Sequence, residues 1–98
     1  CRSEMQSIEA IYQKYKDQDV VVLGIDLFER ADTVRNFVRV HNDYNWTFLL
    51  DSTGHVSYVY QVSIPKSFFI DSTGVIRAIH GVTAMSFSTM ETLLAKAR

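Results

Sequence analysis

Met5, Ile8, Ile11, Tyr12 and Tyr15 recur at spacings of three and four, with Glu9, Gln13, Lys14 and Lys16 mostly between them. Residues so spaced share one face of a helix, so the pattern predicts an amphipathic helix of about four turns. Asp17-Gln18-Asp19 ends it. Val20 to Asp26 then runs Val-Val-Val-Leu-Gly-Ile-Asp, a β-branched stretch expected of a strand buried on both faces of a parallel sheet. Asp32 is a candidate cap for a second helix that carries Val34, Phe37, Val38 and His41 on one face. Trp46 to Leu50 reads as a short strand, and Val56 to Tyr60 as a weak helical turn. Ser67 to Ile70 is another strand, with Val75 to His80 returning as its hairpin partner. Ser88-Thr89-Met90-Glu91 fits a capping box before Met90, Leu93, Leu94 and Ala97.

Asp-Ser-Thr-Gly closes two of these strands, at 51–54 and again at 71–74. Aspartate at the first position and glycine at the fourth suit a type I turn, so the repeat is one of turn chemistry rather than of duplication. The order α-β-α-β-(α)-β-β-α predicts an α/β fold, a mixed sheet with helices on both sides.

Ninety-eight residues suit one domain, and 47% hydrophobic with 21% charged is ordinary for a packed globular chain. The net charge of −1 comes from scattered residues with no basic stripe, which leaves nucleic-acid binding without electrostatic support. The longest apolar run, Val20 to Ile25, is far too short to span a membrane. His41, His55 and His80 have no paired ligand spacing and read as surface or satisfied histidines, so no metal or other cofactor is expected. Trp46, Tyr58 and Tyr60 read as ordinary packing.

Cys1 is the sole cysteine, and it opens the first helix as Cys1-Arg2-Ser3-Glu4-Met5. Unpaired N–H groups and a partial positive charge at a helix N-terminus favour a thiolate. Such a thiol is half of a redox pair, a reactive single cysteine, or an inert one.

Cys1-Arg2-Ser3-Glu4-Met5 is similar to the stretch after the second cysteine of the Trp-Cys-x-x-Cys motif in TlpA/ResA-like thioredoxin-fold oxidoreductases. Val62-Ser63-Ile64-Pro65-Lys66-Ser67-Phe68-Phe69-Ile70-Asp71-Ser72-Thr73-Gly74 resembles that family's cis-proline segment and the hairpin after it. Val20 to Asp26 stands where the family places its second sheet strand. The resemblance implies a thioredoxin-like three-layer sandwich over residues 1–98, a single domain incomplete on its N-terminal side. It would lack the central strand that lies between Val20–Asp26 and Ser67–Asp71. The two strands would then meet a strand from residues upstream of Cys1, a strand from another chain, or each other; an oligomer through unpaired edges is one outcome.

By the same resemblance, the nucleophilic cysteine would lie three residues upstream and attack a partner's disulfide. Cys1 would be the resolving thiol that releases the mixed disulfide. Glu4, one helical turn on, would exchange the proton of Cys1; its bland alternative is a first-turn acid that favours the helix dipole. Pro65 would be the cis-proline facing the disulfide, with Ile64 and Lys66 beside it in contact with an extended substrate segment; otherwise it is a trans proline at a strand start. Two departures bear on substrate choice and potential: Gln6 stands where the family usually has proline, and Lys66 where it usually has threonine.

The implied function is dithiol–disulfide exchange with protein thiols and a further redox partner, outside the cytoplasm, either periplasmic or membrane-anchored and facing outward. With one cysteine, these 98 residues alone are expected to be inactive in that exchange. A peroxiredoxin is the enzymatic alternative, since Cys1 and the acid after it loosely echo one, although Pro65 stands where peroxiredoxins typically carry arginine. A non-catalytic thioredoxin-like binding module is the alternative from another class.

Overall fold

The computed structural model describes residues 2–27, 29–62, 66–81 and 83–98, with side chains from Glu4 onward. The chain divides into two compact units, Tyr12–Val62 and the pair Cys1–Ile11 with Ser63–Arg98. Among the described residues, eight elements follow in order: α1 (Arg2–Tyr15), β1 (Leu23–Leu27), α2 (Ala31–Val40), β2 (Thr47–Asp51), α3 (His55–Val59), β3 (Lys66–Ile70), β4 (Ile76–Gly81) and α4 (Phe87–Ala95).

In the unit Tyr12–Val62, β1 and β2 pair in parallel from Leu23 opposite Thr47 to Leu27 opposite Asp51, with α2 as the crossover between them. An aromatic chain fixes this packing. Phe37 of α2 meets the Phe48 ring of β2 edge-on at 6.2 Å, and Phe48, Trp46 and Tyr44 follow at 5.0 and 5.2 Å. His41 stacks on Tyr44 at 5.5 Å, so it is a packed histidine. Gly24 is required here, because a Cβ on it would stand 2.8 Å from Trp46 Nε1.

The expected strand Val20–Asp26 begins three residues late and is not buried on both faces. Leu23 is 54% and Ile25 46% exposed. Burial of a strand's face needs a layer packed on it, and among the described residues these two side chains stay open to solvent. Trp46 is buried as ordinary packing predicts, whereas Tyr58, on the short α3, is 81% exposed. Asp32 is not the cap of α2. That helix starts at Ala31 after Arg30, whose side chain makes no cap bond, and the Asp32 carboxylate accepts the N–H of Thr33 at 2.9 Å.

In the other unit, β3 and β4 form an antiparallel hairpin from Lys66 opposite Gly81 to Ile70 opposite Ile76, with a bulge between Phe69 and Ile70. Among the described residues, each ladder is a sheet of two strands, β1 with β2 and β3 with β4. The cap of α4 is Ser86 rather than Ser88. Ser86 Oγ accepts the N–H of Thr89 at 3.2 Å, and the helix begins at Phe87.

Both Asp-Ser-Thr-Gly turns form as read. Gly54 and Gly74 donate to the carbonyls of Asp51 and Asp71 at 3.2 and 3.0 Å, each glycine with positive φ. The two carboxylates then diverge. Buried Asp51 caps α3 by accepting from Val56 and Ser57 N–H at 3.3 and 2.9 Å, while Asp71 laces the hairpin turn.

Candidate functional site

Cys1, Ile64 and Pro65, three of the five residues the sequence singles out, lie outside the described residues. The other two, Glu4 and Lys66, belong to the same unit. Glu4 sits in the first turn of α1, three residues after Cys1, and is only 7% exposed. Its Oε2 accepts the backbone N–H of Met85 at 2.8 Å across 81 residues of sequence. A buried carboxylate without a donor costs several kcal/mol, so this bond is what makes its burial tolerable.

Lys66 opens β3 opposite Gly81, half-buried, with its ammonium 5.6 Å from the centre of the Phe68 ring. A cation over a ring face is attracted by the ring quadrupole. The side chain that departs from the family's threonine thus packs along its own strand.

Two features were not singled out from the sequence. Met85 carries no side-chain signal, because its contribution is a backbone amide brought from the far end of the unit. Asp26 had a signal: it is the only charged residue in the run from Val20 to Leu27. Burial first, then a hydrogen bond that the protonated Asp26 carboxyl donates to Glu29 and the charge of the Glu29 carboxylate, push the Asp26 carboxyl up to about 6. Among the described residues, no group of three His, Cys, Asp or Glu side chains is placed to hold a metal ion.

The sequence model of the AhpC/TSA family matches residues 1–79. The chain belongs to the AhpC/TSA family. Among its relatives, the thiol-disulfide oxidoreductase ResA of Bacillus thuringiensis subsp. konkukian is 35% identical over 83 residues, which cover 83% of this chain and 47% of ResA. The thioredoxin-like protein YneN of Bacillus subtilis is 33% identical over 94 residues, covering 93% of this chain and 54% of YneN. The chain therefore spans about half the length of these relatives.

Two solved structures superpose on nearly all of it. StoA of Bacillus subtilis gives a TM-score of 0.79 at 21% identity, covering 95% of this chain and 71% of StoA. A Chlorobium tepidum protein described as thiol:disulfide interchange protein DsbE gives 0.87 at 22% identity, covering 99% and 70%. At those identities the likeness speaks for the fold. This AhpC/TSA member is an α/β chain of the thioredoxin class, as its motifs imply.

Proposed function

We propose that this chain carries the resolving side of a thiol–disulfide oxidoreductase that exchanges dithiols and disulfides with protein substrates. The observation that carries the reading is the buried Glu4 carboxylate, held one helical turn beyond Cys1, in a chain whose relatives are named for this chemistry. In the proposed cycle, a thiolate three residues before Cys1 in the complete protein attacks a partner's disulfide. One partner sulfur leaves as a thiolate, which takes its proton from water, and the other stays in a mixed disulfide. Glu4 takes the proton of Cys1. The Cys1 thiolate attacks the nucleophile's sulfur, the mixed disulfide breaks, and the second partner sulfur leaves with the proton. The protein is oxidised to an internal disulfide and the partner reduced to a dithiol; the reverse flow uses the same atoms.

Pro65 and Ile64 present backbone to the partner's extended segment, and Lys66 sets charge beside it. On the same reading, the protein works outside the cytoplasm with a second redox protein, and its open strand edges are the route by which copies associate.

The test is turnover of insulin by the full-length protein and its Cys1→Ser variant. We expect the variant to lose turnover by about 100-fold or more and to accumulate the mixed disulfide. Unchanged turnover would sink the assignment of Cys1. Consumption of peroxide in place of insulin reduction would make the protein a peroxidase instead.

A further inference from the structure

The Glu4 side chain has three rotatable bonds, so a carboxylate on it has no fixed position unless something holds it. Among the described residues, a backbone donor holds it. Met85 N–H reaches Glu4 Oε2 at 2.8 Å, the longest-range side-chain bond described in the molecule. That donor is itself fixed from both sides. The Met85 side chain is 5% exposed and so anchored in the interior. The next residue, Ser86, is the cap of α4, tied to Thr89 N–H at 3.2 Å. Removing the donor would leave a buried acceptor unsatisfied, and the carboxylate would turn toward water to recover a partner.

We propose that Met85 is a positioning residue for exchange at Cys1: its N–H, braced by the cap of α4, fixes the Glu4 carboxylate in the first turn of α1 as the group that exchanges a proton with the resolving thiol. This rests on the roles proposed above for Cys1 and Glu4. The step it serves is balanced. The proton passes from Cys1 sulfur to the Glu4 carboxylate, and the sulfur's electron pair forms the new disulfide bond. The bond to the protein partner breaks, and the departing thiolate recovers the proton.

The experiment measures alkylation of Cys1 by iodoacetamide against pH in the full-length reduced protein, read on the Cys1 peptide by mass spectrometry. A nearby carboxylate raises the pH at which a thiol ionises. Glu4→Gln is therefore expected to lower the midpoint by about one pH unit. Met85→Pro, which deletes the N–H, lowers it by a similar amount, and Met85→Ala, which thins the packing but keeps the N–H, moves it far less. In the Glu4→Gln background, Met85→Pro adds nothing, because the two changes break one interaction.

Equal shifts from the alanine and proline variants, or additive shifts in the double variant, would overturn the proposal. Should Met85→Pro fail to fold by circular dichroism, Glu4→Asp decides. It keeps the charge but falls about 1.5 Å short of the amide, so it must behave like Glu4→Gln; a wild-type midpoint overturns the proposal. An unmoved midpoint in Glu4→Gln also overturns it. Insulin turnover by the wild-type sample then says separately whether the oxidoreductase reading stands.

Discussion

Asp26 carries a carboxyl displaced well above the ordinary carboxylate range. Its carboxyl titrates at about 6 in the folded chain against an ordinary 3.8, because burial and the neighbouring Glu29 disfavour its charge. Between about pH 4 and about 6, the unfolded chain has released this proton while the folded chain keeps it. Stability therefore falls as pH rises through that window and levels off above it. We expect Asp26→Asn to remove the slope: wild type and variant should melt alike at pH 4, and the variant should melt higher at pH 7. Parallel melting curves across the window would show that the group is ordinary. Gln61 makes a second residue-scale case. Its φ of 54° lies in the left-handed region, where a side chain costs about 1 kcal/mol and glycine costs less. Gln61→Gly is expected to be neutral or stabilising in urea denaturation, whereas glycine at most other positions destabilises.

At the scale of elements, the hairpin of β3 and β4 turns on Asp71. Its carboxylate accepts from Thr73 Oγ1 at 2.6 Å, from Arg77 Nε at 2.6 Å and from the N–H groups of Thr73 and Val75 at 2.9 and 3.1 Å. The Thr73 hydroxyl, then the Arg77 guanidinium, then the Val75 amide hold this carboxyl well below the usual carboxylate range. A depressed carboxyl contributes stability above about pH 4 and loses it as pH falls further. Asp71→Asn is accordingly expected to lower the melting temperature at pH 7 and to converge on wild type in acid. For α4, Ser86→Ala should cost about 1 kcal/mol, and Ser88→Ala less than about 0.5 kcal/mol. The reverse order would restore Ser88 as the cap.

These elements also mark how far sequence could be read. Turns whose bonds close within four residues, at Asp51 and Asp71, were legible because all their partners are local. Caps were less so, since Ser86, Ser88 and Thr89 compete within one turn and only the path of the preceding chain decides. The exposure of Leu23 and Ile25 was not legible at all, since it depends on what packs on the strand. In the candidate site, Glu4 was named through its match to the family's motif, but the amide that holds it has no sequence signature.

At the scale of the whole molecule, the described residues form sheets of two strands each that leave apolar strand surface in the open, with Ile70 and Ile79 exposed as well as Leu23 and Ile25. Unpaired edges of this kind template pairing with other chains. The 98-residue chain by itself is expected to elute larger than a monomer at concentrations on the order of 100 µM, and Ile25→Lys should shift it toward the monomer; a wild-type monomer at that concentration would refute the edge argument. The bond between Glu4 and Met85 has a different whole-chain meaning. Its two ends lie 81 residues apart, so it cannot form until the chain has closed on itself. The Met85 proton is thus free to exchange with deuterated solvent only when the two ends of the chain part. The Thr89 proton, bonded three residues away at Ser86, escapes whenever the tip of its helix frays. One slow amide beside a fast one would time the closing of the molecule.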